Sequence, residues 1–360
     1  MRLFNIFIIS ISQIQQALAD IDMLDASYFK TWTDHKIARD RRDFKIRRTY
    51  KSRSLHNGYF GFGWCSDLEK RLLFEGPILK LEHCSHVATD YQLTDQVYIG
   101  RHKFSGVISK TSNGFIRRVN GKTIEKFDLT GRLISVHASD RLAAGTSPAD
   151  VMSYNISYDQ ENRPIKLSFG EGEVALIKYN HLNYIKEISL PQQISLNYVY
   201  NQGHLLKVNK NNSLMYEYKY DSMSNLIHSR NSRNEIESQT YDTSSDRVLS
   251  TQDSQGCIQN LTFSSDELTE SRVVQVTTLK MKCPNAPQTV KQFTFWLRKS
   301  NTQTAEIEKI KISSGESITE VTYGQKSAKT LEVKTSQPSR AAAFINSEKE
   351  VLRELRSTNP

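Results

Sequence analysis

An aromatic residue followed by Asp or Asn recurs through the middle of the chain at an almost constant interval. The first two pairs are 31 residues apart, and the later ones follow at steps of 21, 21, 20 and 21 residues. The six pairs are Phe127-Asp128, Tyr158-Asp159, Tyr179-Asn180, Tyr200-Asn201, Tyr220-Asp221 and Tyr241-Asp242. A fixed period of this length is typical of stacked supersecondary units, so it constrains the fold before any single residue does.

Each unit has the same order of residue types. An alternating, strand-like run ends in the aromatic, about four turn residues follow, and an apolar strand then begins, as in "SLMYEYKYDSMSNLI". The Asp or Asn after the aromatic can accept a hydrogen bond from its own backbone two residues on, which starts a turn. Each unit therefore predicts one β-hairpin. Hairpins placed side by side predict an all-β protein with an extended antiparallel sheet, open or partly curled.

The repeat "FDLTGRL" at residues 127–133 resembles the YD repeat of the RHS family, whose unit runs aromatic-Asp-x-x-Gly-Arg-Leu. Gly131 occupies the position at which the turn needs a left-handed backbone. Later units carry Asn162, Asn183 or Ser224 there; Asn adopts that conformation readily and Ser less so. The resemblance implies a short RHS-type protein, because the self-cleavage motif and C-terminal toxin domain of large family members are not found.

A second segment, "YKSRSLHNGYFGFGWCSDLEKRL" at residues 50–72, resembles the segment that opens the wound β-shell of RHS proteins. It is not a phosphate-binding loop, because no Lys-Ser or Lys-Thr follows Gly63. Two interpretations remain. Tyr59 and Trp64 form an aromatic platform for a sugar or another ring, or the glycines bend the strand and the aromatics fill one end of the sheet. We favour the second.

Positive charge is concentrated just before this segment. The net charge is +9, and residues 36–53 alone hold nine Lys or Arg against two Asp, so the remainder is nearly neutral and predicts no nucleic-acid partner. Strand alternation places four cations on one side, which we call the basic ladder: Lys45, Arg47, Lys51 and Arg53. The ladder either guards an edge strand against unwanted pairing or binds an anionic polysaccharide or envelope surface.

The N-terminus and the cysteines both indicate export. "MRLFNIFIISISQIQQALAD" has the order of a signal peptide cleaved after Ala19, without a later membrane span in the mature chain. An even number of cysteines in an exported chain favours disulfides. Nearest neighbours pair Cys65 with Cys84 and Cys257 with Cys283, although four cysteines permit other pairings. The expected location is periplasmic, cell-surface or extracellular.

No enzyme motif, cofactor site or metal site is expected. His83 and His86 flank Cys84, but residues three apart on a strand face opposite sides. The predicted organisation is a signal peptide at residues 1–19, a lead-in at 20–49 with a helix near 27–39, a YD-repeat sheet domain at 50–335, and a linker with a short helix at 336–360.

The resemblance implies an exported, non-enzymatic RHS-like β-scaffold that binds carbohydrate or another component of the cell envelope. Two alternatives stay open. One is an accessory or remnant shell that adds its sheet edge to a larger RHS or toxin protein. The other is a hydrolase of cell-wall polymers, which needs two convergent carboxylates.

Overall fold

A computed structural model of the chain describes residues 21–39, 42–76, 78–84, 89–100, 105–119, 123–138, 153–299, 305–315, 317–322 and 332–335. The predicted signal peptide at 1–19 and the predicted linker and helix at 336–360 lie outside these residues. The described residues form two compact units. One contains residues 21–30 and 219–335, and the other contains residues 31–218.

The first strands come from the lead-in and the opening segment. They are β1 (Phe29–Arg39), β2 (Arg42–Lys51), β3 (Asn57–Gly58), β4 (Gly61–Phe62) and β5 (Trp64–Cys65). A single 3-10 turn follows at Asp67–Glu69. β1, β2 and β5 form one small sheet, in that order, and β3 pairs with β4.

The remaining strands belong to the repeat sheet. Those of the unit of residues 31–218 are β6 (Arg71–Glu75), β7 (Ile78–Glu82), β8 (Thr89–Thr94), β9 (Val97–Gly100), β10 (Val107–Thr111), β11 (Gly114–Val119), β12 (Thr123–Phe127), β13 (Leu133–Ala138), β14 (Tyr154–Tyr158), β15 (Pro164–Phe169), β16 (Val174–Tyr179), β17 (Ile185–Leu190), β18 (Ile194–Asn201), β19 (His204–Lys210) and β20 (Ser213–Tyr220). Further 3-10 turns occur at Gly170–Gly172 and Pro191–Gln193.

The strands of the other unit are β21 (Leu226–Asn231), β22 (Ile236–Tyr241), β23 (Val248–Gln252), β24 (Ile258–Thr269), β25 (Arg272–Lys282), β26 (Thr289–Lys299), β27 (Ala305–Ser314), β28 (Ser317–Thr322) and β29 (Glu332–Thr335). In each unit successive strands of the repeat sheet pair antiparallel. The predicted fold class, an all-β protein with an extended antiparallel sheet of hairpin repeats, is confirmed.

A register shift accompanies the repeat aromatics. The pairing slips by one residue just before Phe127, Tyr158, Tyr179, Tyr200 and Tyr241. In four of these units the tyrosine hydroxyl donates a hydrogen bond of 2.7–2.8 Å to a carbonyl of the preceding unit. These bonds run from Tyr158 to Leu133, from Tyr179 to Pro164, from Tyr200 to Ile185 and from Tyr241 to Leu226. The aromatic thereby links neighbouring hairpins as well as ending its own strand.

The residue after the aromatic folds the turn, as predicted. One Asp159 oxygen accepts the backbone N–H groups of Glu161 and Arg163 at 3.0 and 2.8 Å. The residue before the arginine position is left-handed in all six predicted units, with φ of +88° at Gly131, +62° at Asn162, +66° at Asn183, +87° at Gly203, +72° at Ser224 and +54° at Asp246. Asp128, Asn180 and Asp221 accept the corresponding backbone N–H groups in their own turns.

Two turns of the same type have no aromatic before them, so the repeat pattern in the sequence missed them. Asn231 accepts the N–H groups of Arg233 and Glu235, and Asp253 accepts those of Gln255 and Cys257. They are the turns between β21 and β22 and between β23 and β24. The Asx hydrogen bonds therefore define these turns more generally than the aromatic does.

Arginines of the repeat connect one turn to the next. Arg163 donates from Nε to Asp159 Oδ2 at 2.8 Å and from Nη1 to Asn183 Oδ1, in the following turn, at 2.6 Å. Arg132 makes the same two bonds, to Asp128 and to Asn162. The Arg163 guanidinium also lies 4.7 Å from the ring centroid of Tyr179. Asn162 and Asn183 thus adopt the left-handed conformation of their own turns, and each also accepts a hydrogen bond from the arginine of the preceding turn.

The beginning of the repeat sheet curls back on itself. The N–H of Leu72, in β6, donates to the carbonyl of Gly131 at 2.8 Å, and Arg71 forms an isolated antiparallel bridge with Arg132. Gly131 is required for this close approach because a Cβ there would lie 2.1 Å from the Leu72 carbonyl oxygen. The partly curled sheet expected from the sequence is present in this unit.

The helix predicted near residues 27–39 is wrong, because β1 occupies Phe29–Arg39. Trp32 and Asp34 are buried while Thr31 and Thr33, which precede them, are exposed, and this is the two-residue period of a strand. Successive helical positions would have turned Trp32 and Asp34 to different faces. The lead-in therefore already contributes β1 and β2, upstream of the predicted start of the sheet domain at residue 50.

Both predicted disulfides are present, joining Cys65 to Cys84 and Cys257 to Cys283. The first connects β5 to the residues after β7, and the second connects the turn before β24 to the end of β25. Each therefore closes a short loop within one unit. In the entropic model, loops of about 20 residues stabilise a fold by roughly 3 kcal/mol each.

Ser224 offers a direct test of the turn geometry. A non-glycine residue at φ +72° is strained, so Ser224→Gly should raise the free energy of unfolding by about 0.5–1 kcal/mol. Ser222→Gly in the same turn is the matched control, and it should leave stability unchanged or lower it. Urea unfolding of both variants measures the difference. A loss of stability in Ser224→Gly would contradict the assignment of strain to this position.

Candidate functional site

The opening segment is folded around one carboxylate. Glu69 ends the 3-10 turn that follows Ser66, and its oxygens accept the backbone N–H groups of Tyr59 at 2.5 Å and Ser66 at 2.6 Å. His56 Nε2 lies 3.6 Å from Glu69 Oε1. The adjacent Glu69 carboxylate raises the pKa of His56 above its ordinary value, against the effect of burial.

The same segment is bonded to the repeat sheet of its unit. The N–H of Ile185, at the start of β17, donates to the Tyr59 carbonyl at 2.8 Å, and the N–H of Phe62 donates to the Gly203 carbonyl at 3.1 Å. Gly61 has φ +100°, and a Cβ there would lie 2.5 Å from the Gly203 carbonyl oxygen. Glycine is therefore needed for both the backbone conformation and the contact.

Trp64 is 0% exposed, so the structure contradicts its assignment to a ligand-binding surface. Its ring packs against Trp32, Tyr50 and Tyr218 at centroid distances of 5.1–5.4 Å. Phe60 is equally buried, against Tyr198. Tyr59 is half-buried, with its ring 5.7 Å from that of Tyr179, and burial raises its pKa to about 12. Of the two predicted platform residues, only Tyr59 reaches the surface.

A buried ion pair lies beside Trp64. Arg48 donates from Nε and Nη2 to the two oxygens of Asp34, at 2.7 and 2.9 Å, and neither side chain is exposed. The Arg48 guanidinium carbon lies 4.8 Å from the Trp64 ring centroid. Burial alone would lower the pKa of Arg48, but Asp34 and its neighbours outweigh burial and hold that pKa well above the ordinary value.

Two tyrosines from the repeat strands complete this cluster. Tyr198 donates to Asp34 at 2.9 Å, and the Tyr218 hydroxyl accepts from Arg48 Nη2 at 2.8 Å. Arg48 lies on the side of β2 that carries Phe44, Ile46 and Tyr50, and all four side chains are buried. A cation within an apolar face was the only signal in the sequence for this ion pair.

A second buried charge cluster lies within the repeat sheet. Glu125 accepts hydrogen bonds from Arg117 at 2.8 Å and from Lys70 at 2.7 Å. Burial alone would raise the pKa of Glu125, but the two cations lower it to about 2. Arg117 also donates to the Tyr91 hydroxyl and to the Ser105 carbonyl. This group joins β11 and β12 to the residue before β6.

The basic ladder lies on the exposed side of β2, as the alternation predicted. Carboxylates lie beside Arg47 and Lys45 of the ladder. Arg47 donates twice to Asp67, at 3.1 and 2.7 Å, and Lys45 lies 3.5 Å from Asp43. Asp67 is the main reason that the pKa of Arg47 is raised. Lys51 and Arg53 continue the ladder at the end of β2 and beyond it, so the row is present but partly neutralised.

A cleft of about 520 Å³ opens where the opening segment meets two repeat turns. Its walls include the turn that holds Arg163, the turn that holds Tyr184, and the Cys65–Cys84 disulfide. Further lining residues from the opening segment and from β6 and β7 are His56, Asn57, Tyr59, Glu69, Arg71, Glu82 and His83. No pattern in the sequence predicts this cleft, because its two sides are about 100 residues apart along the chain.

The described residues contain no group of three His, Cys, Asp or Glu side chains placed to hold a metal ion. His83 is half-buried in the cleft wall, burial lowers its pKa, and Cys84 is taken up by its disulfide. His86 lies outside the described residues. In the same part of the chain we find no helix whose length and hydropathy would let it span a membrane.

Residues 20–92 match the family model described as "Domain of unknown function (DUF6531)". No curated protein matches the chain. Among solved structures, the chain is similar to a mutant of the Photorhabdus luminescens Tc holotoxin pore, with 10% identity and a TM-score of 0.32, over 89% of this chain and 21% of that one.

It is also similar to TcdB2-TccC3 without its hypervariable C-terminal region, with 10% identity and a TM-score of 0.32, over 74% of this chain and 18% of that one. The TcdB2-TccC3-Cdc42 structure gives 10% identity and a TM-score of 0.30, over 87% and 21%. The chain spans about a fifth of the length of these structures.

The buried pair of Arg48 and Asp34 should be essential to the fold. Arg48→Met leaves an uncompensated carboxylate in the interior and should lower the free energy of unfolding by about 3–5 kcal/mol. Adding Asp34→Leu should recover part of that loss. Urea unfolding followed by tryptophan fluorescence suits the measurement, since Trp32 and Trp64 flank the pair.

The matched control is Arg233→Ala, which breaks an ion pair with Glu235 at the surface, where Arg233 is 77% exposed. We expect a change within about 0.5 kcal/mol. Equal changes in the free energy of unfolding for Arg48→Met and Arg233→Ala would show that the buried pair stabilises the fold no more than a surface pair does.

Glu125 should make the protein sensitive to acid. Its pKa is about 2 in the folded chain and about 4.5 when unfolded, so its stabilisation is complete above pH 4.5 and is lost as the pH falls towards 2. The contribution at neutral pH is about 3 kcal/mol. Glu125→Gln should therefore be less stable than the parent at pH 7, and the gap should narrow below pH 4.5.

Thermal unfolding midpoints of parent and variant, measured from neutral to acid pH, test this difference. Glu161→Gln, at a carboxylate that is 66% exposed, is the control and should follow the parent throughout. If the unfolding midpoints of Glu125→Gln and the parent differ by the same amount at every pH, the lowered pKa of Glu125 is refuted as the source of acid sensitivity.

Proposed function

We propose that the chain is an exported, non-enzymatic RHS-like β-scaffold that binds carbohydrate or another component of the cell envelope. The scaffold part of the proposal is supported by the hydrogen bonds that the polar side chains of the repeat motif make within the sheet. The Asp, Asn, Arg and Tyr side chains of successive units bond to their own turn or to the neighbouring unit. Because these side chains already bond within the sheet, they make the sheet rigid, and other residues on its surface are the ones that contact a ligand.

The two disulfides support the exported part of the proposal. Each closes a loop within one unit, and such bonds persist in oxidising compartments. Surface charge on β2 supports a polyanionic ligand in the envelope. The partners of Lys45 and Arg47 lower the net charge of the ladder, so we expect moderate affinity that depends strongly on salt.

The alternative of an accessory shell would favour a long, uncharged edge strand. β1 lies at one end of the order β1-β2-β5, yet it carries Lys30, Lys36 and Arg39. Charged side chains of this kind protect an edge from pairing. We therefore rank edge addition to a larger RHS protein below ligand binding, and we rank a cell-wall hydrolase below both.

Binding of the purified full-length chain to isolated envelope fractions tests the proposed function. Changing all four ladder cations to Ser should greatly weaken this binding at low ionic strength and remove most of its salt dependence. The four substitutions are Lys45→Ser, Arg47→Ser, Lys51→Ser and Arg53→Ser. Sedimentation of bound protein with the envelope fraction, over a series of salt concentrations, gives the affinity.

A control with the same loss of charge separates the ladder from general basicity. Four exposed cations of the repeat strands and turns serve this purpose: Lys178, Lys207, Lys219 and Arg233, each changed to Ser. The control should bind as the parent does. Unchanged binding by the ladder variant would show that β2 is only a guarded edge, and absence of binding by the parent would refute the proposed function itself.

A further inference from the structure

The charged side chains of the cleft are paired with one another. Arg71 Nε lies 2.5 Å from Glu82 Oε2, and Arg163 Nη2 lies 2.6 Å from Glu161 Oε2. His56 and Glu69 form the third pair. The cleft is therefore strongly polar, and each of its three carboxylates lies beside a basic side chain. This distinguishes it from the basic ladder on β2.

Paired charges favour a particular kind of ligand. An anion or a cation would have to compete with the partner that each side chain already has. A hydroxyl group both donates and accepts, so it can add to a carboxylate oxygen and to a guanidinium N–H without breaking the pair. Hydrogen bonds to charged groups are also stronger than those between neutral groups.

The cleft also offers apolar surface beside these polar groups. Tyr59 and Tyr184 line it, and Tyr184 is held in place by stacking on Tyr200, with ring centroids 5.1 Å apart. Leu182 stands at the same turn and is 49% exposed. Aromatic and aliphatic groups beside paired polar ones suit a ligand with C–H faces and hydroxyl edges.

The walls are held before any ligand arrives. The Cys65–Cys84 disulfide forms part of one wall, and Glu69 fixes the opening segment through two backbone N–H groups. Arg163 is oriented by Asp159 and Asn183 as well as by Glu161. A volume of about 520 Å³ is within the usual range for small-ligand sites, and a preformed site loses little entropy on binding.

We propose that this cleft binds a neutral, hydroxyl-rich oligosaccharide. The inference rests on the proposed function, and it assigns carbohydrate binding to a place separate from the basic ladder. Uncharged sugar rings interact with the paired charges through their hydroxyl groups and with Tyr59 and Leu182 through their C–H faces. Binding at this site should be insensitive to salt, because no net charge is neutralised.

The test is calorimetric titration of the disulfide-bonded, full-length chain with three neutral probes: maltohexaose, cellohexaose and chitohexaose. We expect at least one of them to bind, with an affinity that changes little between about 50 and about 500 mM salt. Leu182→Ala and Tyr59→Ala should each weaken that binding by about tenfold. Two substitutions are used because Leu182 is a surface residue whose loss leaves the fold intact.

Leu129→Ala is the matched control, since Leu129 is an exposed leucine of another repeat turn and does not line the cleft. It should bind the hexasaccharide as the parent does. The inference is overturned if none of the three probes binds or if Leu129→Ala weakens binding as much as Leu182→Ala. Cleavage of a probe during the titration would instead refute the non-enzymatic part of the proposed function.

The two proposals fail in different ways. Envelope binding that depends on the ladder, without binding of any hexasaccharide, would overturn the cleft inference and leave the proposed function standing. Hexasaccharide binding that Leu182→Ala weakens, in a chain that does not bind envelope fractions, would support the cleft and refute the proposed envelope role.

Discussion

Burial of the Arg48 guanidinium constrains much of the unit that contains it. A buried cation is very unfavourable unless its partners are in place, so this interior forms only when Asp34, Tyr198 and Tyr218 meet around Arg48. Those residues belong to β1, β18 and β20, and Arg48 belongs to β2. The pair therefore holds the lead-in strands in one position against the repeat strands. The rings of Trp64 and Tyr218 pack around the guanidinium.

The hairpin repeat was predictable because its turns are local. Asp159 accepts hydrogen bonds from residues two and four positions on, and Asn162 adopts its left-handed conformation within the same five residues. Such interactions are visible in a short stretch of sequence. The same locality explains Asn231 and Asp253, whose turns need no aromatic and so escaped a search based on aromatics.

The contacts that could not be predicted are distant in sequence. Tyr198 and Tyr218 meet Asp34 and Arg48 across 164 and 170 residues, and no spacing in the chain indicates those contacts. The helix expected at residues 27–39 failed for this reason, and so did the less favoured interpretation that made Trp64 part of a ligand platform. Strand β1 and the burial of Trp64 follow from packing against repeat strands. The cleft likewise lies where Ile185 of β17 bonds to Tyr59, 126 residues earlier in the chain.

These contacts give the repeat and the opening segment different roles. Polar side chains of the repeat are used to connect one hairpin to the next, as Arg163 does between Asp159 and Asn183. Where a repeat turn meets the opening segment, Arg163 and Tyr184 also face a second set of polar groups that no repeat supplies. In a scaffold of similar units, binding chemistry should arise at such a junction, because the environment of a repeat residue there differs from that of its counterparts elsewhere in the sheet.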